Sequence, residues 1–286
     1  MSWLTIIWSM LAAASIVIGL THLFLWRRST GRDEFLFSSL MAFAAGGVAL
    51  TELAIAKTPH LATLQTLMRL GNLATGVTVV AMVWFLHRYL GTGRRFLRWG
   101  ITVLWASGLV VNFLAPGSLV FTEITGVREM TTFWGEPYHL IQGTGNPFRY
   151  LADLASVLVT VFVIEASIRA WRVGRRRRAG VVGGAVTFFI VAAGIHTPLV
   201  DAGLVKTPYL ISLAFVAIVI ALNAELVRDV SLAYRQAREI LAGQRRWKSL
   251  LTNIRLAIMD LDPAGKIRYA NPFFLDRTGY TLAQVQ

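Results

Sequence analysis

Residues 209–226 read YLISLAFVAIVIALNAEL and pass without a break into 227–254, VRDVSLAYRQAREILAGQRRWKSLLTNI. The first part is apolar apart from Ser212, Asn223 and Glu225. As a helix rising ~1.5 Å per residue, it covers most of a ~30 Å hydrocarbon core. The rhythm then changes. Leu226, Val230, Ala233, Ala237, Ile240, Gln244, Trp247, Leu251 and Ile254 alternate spacings of four and three, the seam of a left-handed coiled coil. A seam implies a partner helix, and a second copy of the chain supplies one. The competing reading lays this segment on the membrane surface, with Arg235, Arg238, Arg245, Arg246 and Lys248 among headgroups. The weak seam residues Ala233, Ala237 and Gln244 are the argument for it.

The residues that follow, 253–286, are NIRLAIMDLDPAGKIRYANPFFLDRTGYTLAQVQ. A strand-like run at 256–261 meets the turn Asp262-Pro263-Ala264-Gly265, a second short strand spans 266–270, and Asn271-Pro272 opens a helix. The acidic-ended "DLD", the "AGKIRYANPFF" and the trailing "TGYTLAQV" together resemble the opening third of a PAS sensory domain. That resemblance implies further strands of an α/β sheet after the segment shown, since two strands cannot bury a core.

Composition points to a membrane protein. The 286 residues are 55% hydrophobic and only 15% charged, with a positive mean hydropathy. The net charge of +13 gathers in short clusters between apolar runs and forms no continuous basic face, which argues against nucleic acid as a partner. Without cysteines there is no disulfide framework, iron-sulfur cluster or thiolate zinc site. Seven apolar spans can be drawn, at 3–26, 35–56, 67–90, 99–115, 150–171, 180–200 and 209–226. The first lacks a basic leader and exceeds a signal-peptide core, so it reads as a retained helix. Thirteen Lys and Arg fall in one set of alternate connections (Arg27, Arg28, Arg32; Arg88, Arg94, Arg95, Arg98; Arg169, Arg172 and 175–178), against five in the other (Lys57, Arg69, Arg128, Arg149, Lys206). The positive-inside rule then puts the N-terminus outside and the C-terminal segment in the cytoplasm. The expected fold is mainly α: a seven-transmembrane bundle over 1–226 with an outer loop at 116–148, a coiled-coil signalling helix over 227–252, and the start of a PAS domain over 253–286. Small residues at Ala42, Gly46 and Gly47, and at Gly180, Gly183 and Gly184, mark close helix approaches, within the bundle rather than on a dimer face.

The long loop has strand character at 119–125 and 128–133, which predicts a short hairpin turning around Gly126 over the outer mouth of the bundle. Its Glu123, Trp134, Glu136 and His139 form an acidic and aromatic set. Ionisable groups inside spans are costly and need an interior partner or a role. At the outer depth lie Glu52, Asn72, Asp153 and His196, with Asp201 at the boundary. With the loop residues they make a candidate pocket for a cation, a hydrogen-bonding molecule, a proton or a metal ion. The rival reading for each is an ordinary interhelix hydrogen bond. No cofactor is expected. Haem between His22 and His87 is disfavoured because both sit near a helix end, and a metal at His196 with Glu52 or Asp153 has no supporting spacing. A retinal Schiff base needs a lysine in the last span, which has none.

The order of outer loop, seven spans, heptads and PAS opening is similar to the N-terminal sensory half of bacterial membrane sensor histidine kinases. The resemblance implies a homodimeric receptor in the inner membrane, an extracytoplasmic ligand, and a cytoplasmic response regulator reached through later domains. Leu226, Val230, Ala233, Ala237, Ile240 and Trp247 would carry the signal. The same input could serve a cyclic-dinucleotide synthase or phosphodiesterase; less well, the bundle could itself be a transporter or channel regulated by PAS, since mid-depth positions are mainly aliphatic.

Overall fold

The structure is a computed structural model describing residues 2–29 and 31–285; the side chains of Asp201, Leu282 and Val285 lie outside what it describes. The chain divides into two units, Met1–Glu225 and Leu226–Gln286.

In the first unit, α1 (Trp3–Arg28), α2 (Asp33–Lys57), α3 (Leu61–Leu90) and α4 (Arg95–Leu114) precede a hairpin of β1 (Phe121–Thr131) and β2 (Pro137–Gly145). Then come α5 (Tyr150–Arg172), a sixth span with a π-helical stretch at Ala179–Gly183 before α6 (Gly184–Asp201), and α7 (Ile211–Asn253). Seven helices among the described residues are long and apolar enough to cross a membrane. Lipid tails give apolar side chains no reason to leave them, so such helices associate through close packing and polar contacts. The small residues serve this purpose. Gly46 lies against the Ala12 carbonyl and Ser15 of α1, and Gly47 meets Ala74 of α3. Gly183, within the π-helical stretch, packs directly on Ser167 of α5, whereas Gly184 faces open space.

The hairpin exists, but its turn is not at Gly126. β1 runs through that glycine to Thr131, and the chain reverses over Thr132–Glu136. Gly126 marks a shift in pairing register between Ile124 and Gly126, the place for a bulge. At the true turn Gly135 has φ +88°, and Thr132 accepts from Gly135 N at its carbonyl and from Glu136 N at its hydroxyl. Tyr138 and Leu140 of β2 then join Leu4, Trp8, Ala49, Ala56 and Val200 in one buried cluster. Leu140 comes from the hairpin, and to the extent that it is withdrawn from water its burial contributes about 1.5–3 kcal/mol to holding the hairpin down.

In the second unit, β3 (Met259–Leu261) and β4 (Ile267–Ala270) pair antiparallel, followed by α8 (Pro272–Thr278) and α9 (Leu282–Val285). Asp262 shapes their turn. Its carboxylate accepts from the N–H groups of Ala264 and Lys266, both at 2.9 Å.

Candidate functional site

Glu52 lies on α2, and its carboxylate is held by two other helices. Trp8 of α1 donates its indole N–H at 2.9 Å, while Ser212, in the first turn of α7, donates its backbone N–H at 3.2 Å and also its hydroxyl. A carboxylate there satisfies orphan amides and complements the positive end of the helix dipole. Nearer the other end of the bundle, His22 of α1 is fully buried between Ser38 of α2 and Asn223 of α7, each at 2.8 Å. The Asn223 Oδ1 can only accept, so His22 Nε2 carries the proton and Nδ1 accepts from the Ser38 hydroxyl. Both ring nitrogens are therefore engaged in hydrogen bonds between helices. His87 donates from Nδ1 to the Thr92 carbonyl at 3.0 Å, which fastens the turn after α3. Glu225 of α7 pairs with Arg177 at 3.3 Å. Within the bundle, α7 is thus tied to the α1–α2 pair at two depths and, through Glu225 and Arg177, to the start of the sixth span.

The other expected site residues are occupied separately. Asn72 donates to Asn112 at 2.8 Å, and Asn112 in turn accepts from Leu119 N, fixing the entry to the hairpin. His196 bonds Thr207 at 2.9 Å. His139 donates from Nδ1 to the Ala56 carbonyl at 3.1 Å, at the end of α2, and its Nε2 faces the exposed Glu129. Asp153 and Glu123 are exposed, and Trp134 is partly buried against Phe133. Asp201 lies outside the described side chains. Among the described residues no three His, Asp or Glu side chains are grouped as metal ligands.

Glu136 caps α1. It accepts from the Trp3 N–H at 2.5 Å, the Leu4 N–H at 3.1 Å and the Ser2 hydroxyl at 2.9 Å, while Lys57 donates to Ser2 at 3.0 Å. Partial burial works against ionisation here, but the Leu4 and Trp3 N–H groups and the Ser2 hydroxyl outweigh it and bring the carboxyl down to about 2. Sequence reasoning missed Trp8, Ser38 and Ser212 as partners. Polar residues in apolar spans were the only signal for them, and that signal does not say which pairs with which.

Of the signal-transmitting set, Leu226 is buried and Val230 half-buried, while Ala233, Ala237, Ile240 and Trp247 are exposed. In the second unit Asn271 is fully buried. Its Oδ1 accepts from Ile258 N at 3.0 Å and caps α8 through Phe274 N at 3.1 Å, while its Nδ2 donates to the Leu256 carbonyl at 2.8 Å. One side chain thus joins the approach to β3, the exit of β4 and the start of α8. The family model of the PAS domain matches residues 245–286. The C-terminal end carries a PAS domain. No curated protein matches the chain. The PAS match begins at Arg245, inside α7, so one helix contains both the seventh span and the first matched residues. The protein is accordingly multi-span, with a PAS sensory domain after seven long apolar helices, an arrangement that suggests a signalling role.

Proposed function

We propose that this chain is the input half of a dimeric membrane receptor, with the hairpin outside and PAS in the cytoplasm. PAS would pass the signal to a later catalytic domain, a histidine kinase on the architectural resemblance. One observation carries the reading: α7 is a single helix, Ile211–Asn253, whose membrane part is bonded to Glu52 and His22 and whose last turns enter the PAS match. A stimulus at the outer end that alters the Glu52–Ser212 contact acts on the start of this helix, and a shift or rotation of the helix is the output. The exposed Ile240 and Trp247 on the heptad seam support a partner helix from a second copy.

Residues 1–286 contain no cysteine, so a single cysteine placed among them is read without interference once any cysteines elsewhere in the full-length protein are replaced. In native membranes carrying the full-length protein, Ile240→Cys and Trp247→Cys are expected to form disulfide-linked dimers under mild oxidation, and Arg238→Cys, off the seam, is not. An impermeant maleimide should label Glu129→Cys from outside and Arg238→Cys only after permeabilisation. Equal crosslinking at all three helix positions removes the dimer, and labelling of positions 129 and 238 from one side removes the receptor topology.

A further inference from the structure

The turn of the hairpin carries two aromatic residues that its backbone does not require. Residues 132–136 read TFWGE. Gly135 supplies the left-handed conformation, Thr132 closes the turn through its carbonyl and hydroxyl, and Glu136 holds the first amides of α1. Positions 133 and 134 remain, and a turn in water ordinarily fills such places with small polar residues. Here Phe133 is 81% exposed and stands edge-on against Trp134, with ring centroids 4.5 Å apart.

The course of the hairpin shows what this tip meets. It lies across one end of the bundle. At its base Asn112 of α4 accepts from Leu119 N, midway His139 bonds the Ala56 carbonyl at the end of α2, and at the tip Glu136 reaches the start of α1. That helix is a candidate membrane span whose apolar run begins at Trp3. It buries Leu4 and Trp8 on one face and leaves Trp3, Ile7, Met10 and Val17 exposed at helical spacing on another, an apolar stripe suited to lipid. Tryptophan at the end of a span sits at headgroup level. The Glu136 bond to Trp3 N fixes the tip at that level, since Phe133 is three residues away and within about 10 Å along the chain.

We propose that the hairpin turn is a membrane-interface anchor: Phe133, backed by Trp134, inserts among the phospholipid headgroups of the leaflet in which α1 begins. The exposed stripe of α1 leads from the hydrocarbon region up to this turn, so the apolar surface is continuous from the span to the tip. Size also favours lipid over a protein partner. A stable protein interface takes about 800 Å² from each side, far more than one ring pair offers, whereas aromatic rings enter the headgroup layer singly. The placement is the same whichever leaflet faces the cytoplasm, so it stands apart from the receptor reading.

The test uses the full-length protein, with any other cysteines replaced, in phosphatidylcholine vesicles. Bimane is attached to Phe133→Cys, to Glu129→Cys on the same hairpin, and to Val17→Cys in the exposed stripe of α1. The probe at position 133 should lose emission to a nitroxide carried by the lipid near its glycerol and be shielded from iodide in the water. The probe at position 129 should show the reverse, and the one at position 17 should respond to a nitroxide deep in the acyl chain. Because cysteine removes the ring, a second measurement keeps one: benzoylphenylalanine in place of Phe133, irradiated in the same vesicles, should gain the mass of one phospholipid. Iodide quenching at position 133 equal to that at 129 overturns the proposal. So does protection from both quenchers, or a benzophenone that couples to protein or to nothing, since the ring then meets protein or water instead of headgroups.

Discussion

Glu136 shows how one side chain can fasten a loop to a bundle. Its carboxylate occupies the free N-terminus of α1, and its pKa of about 2 lies below the ordinary 4.5 because the ionised form receives those hydrogen bonds. A group depressed on folding adds stability above its unfolded pKa and loses it as pH falls through the folded value. The contribution should therefore be constant from neutral pH to about 5 and fade between about 4.5 and 2. Thermal melting of Glu136→Gln against wild type is expected to show a gap at pH 7 that closes over this window. A gap that persists at pH 2 would mean that the carboxylate's charge is not what anchors the hairpin. Glu52 plays the corresponding part at the start of α7, so both carboxylates act on helix N-termini contributed by other elements.

Helix contacts depend on where a Cβ would fall. At Gly183 an added methyl would overlap the Ser167 side chain of α5, and the π-helical stretch there is wound around this contact. Gly184, one residue on, has open space. Gly183→Ala is therefore expected to cost about 1–3 kcal/mol through forced separation of α5 from the sixth span, while Gly184→Ala changes stability little. Chemical denaturation in mixed micelles distinguishes the two, and equal effects would argue against close approach at Gly183. The hairpin rests on similar local detail. Two glycines in a β-rich stretch are each able to turn the chain, and the pairing of β1 with β2 decides for Gly135, leaving Gly126 as a bulge.

For the protein as a unit, the proposed function makes continuity of α7 the feature that would convert a contact in the bundle into a signal. Two residues inserted between Arg228 and Arg245 turn everything beyond them by about 200° relative to the span, at ~100° per residue. The full-length insertion variant is expected to assemble in the membrane and lose stimulus-dependent output, whereas a seven-residue insertion, two turns of the heptad, retains it. Normal stimulus response in the two-residue variant counts against transmission through the helix.

The spans and the Asp262–Gly265 turn were legible in the residues alone because each is a local pattern. Span length and turn chemistry both reside within a few consecutive turns of chain. The pairings Glu136 with α1, Glu52 with Ser212, and His22 with Asn223 join positions 132, 160 and 201 residues apart. No local rule chooses among the polar residues of seven apolar helices. The folded bundle does, because in a medium without water each such group must bond to whichever partner packing brings within reach.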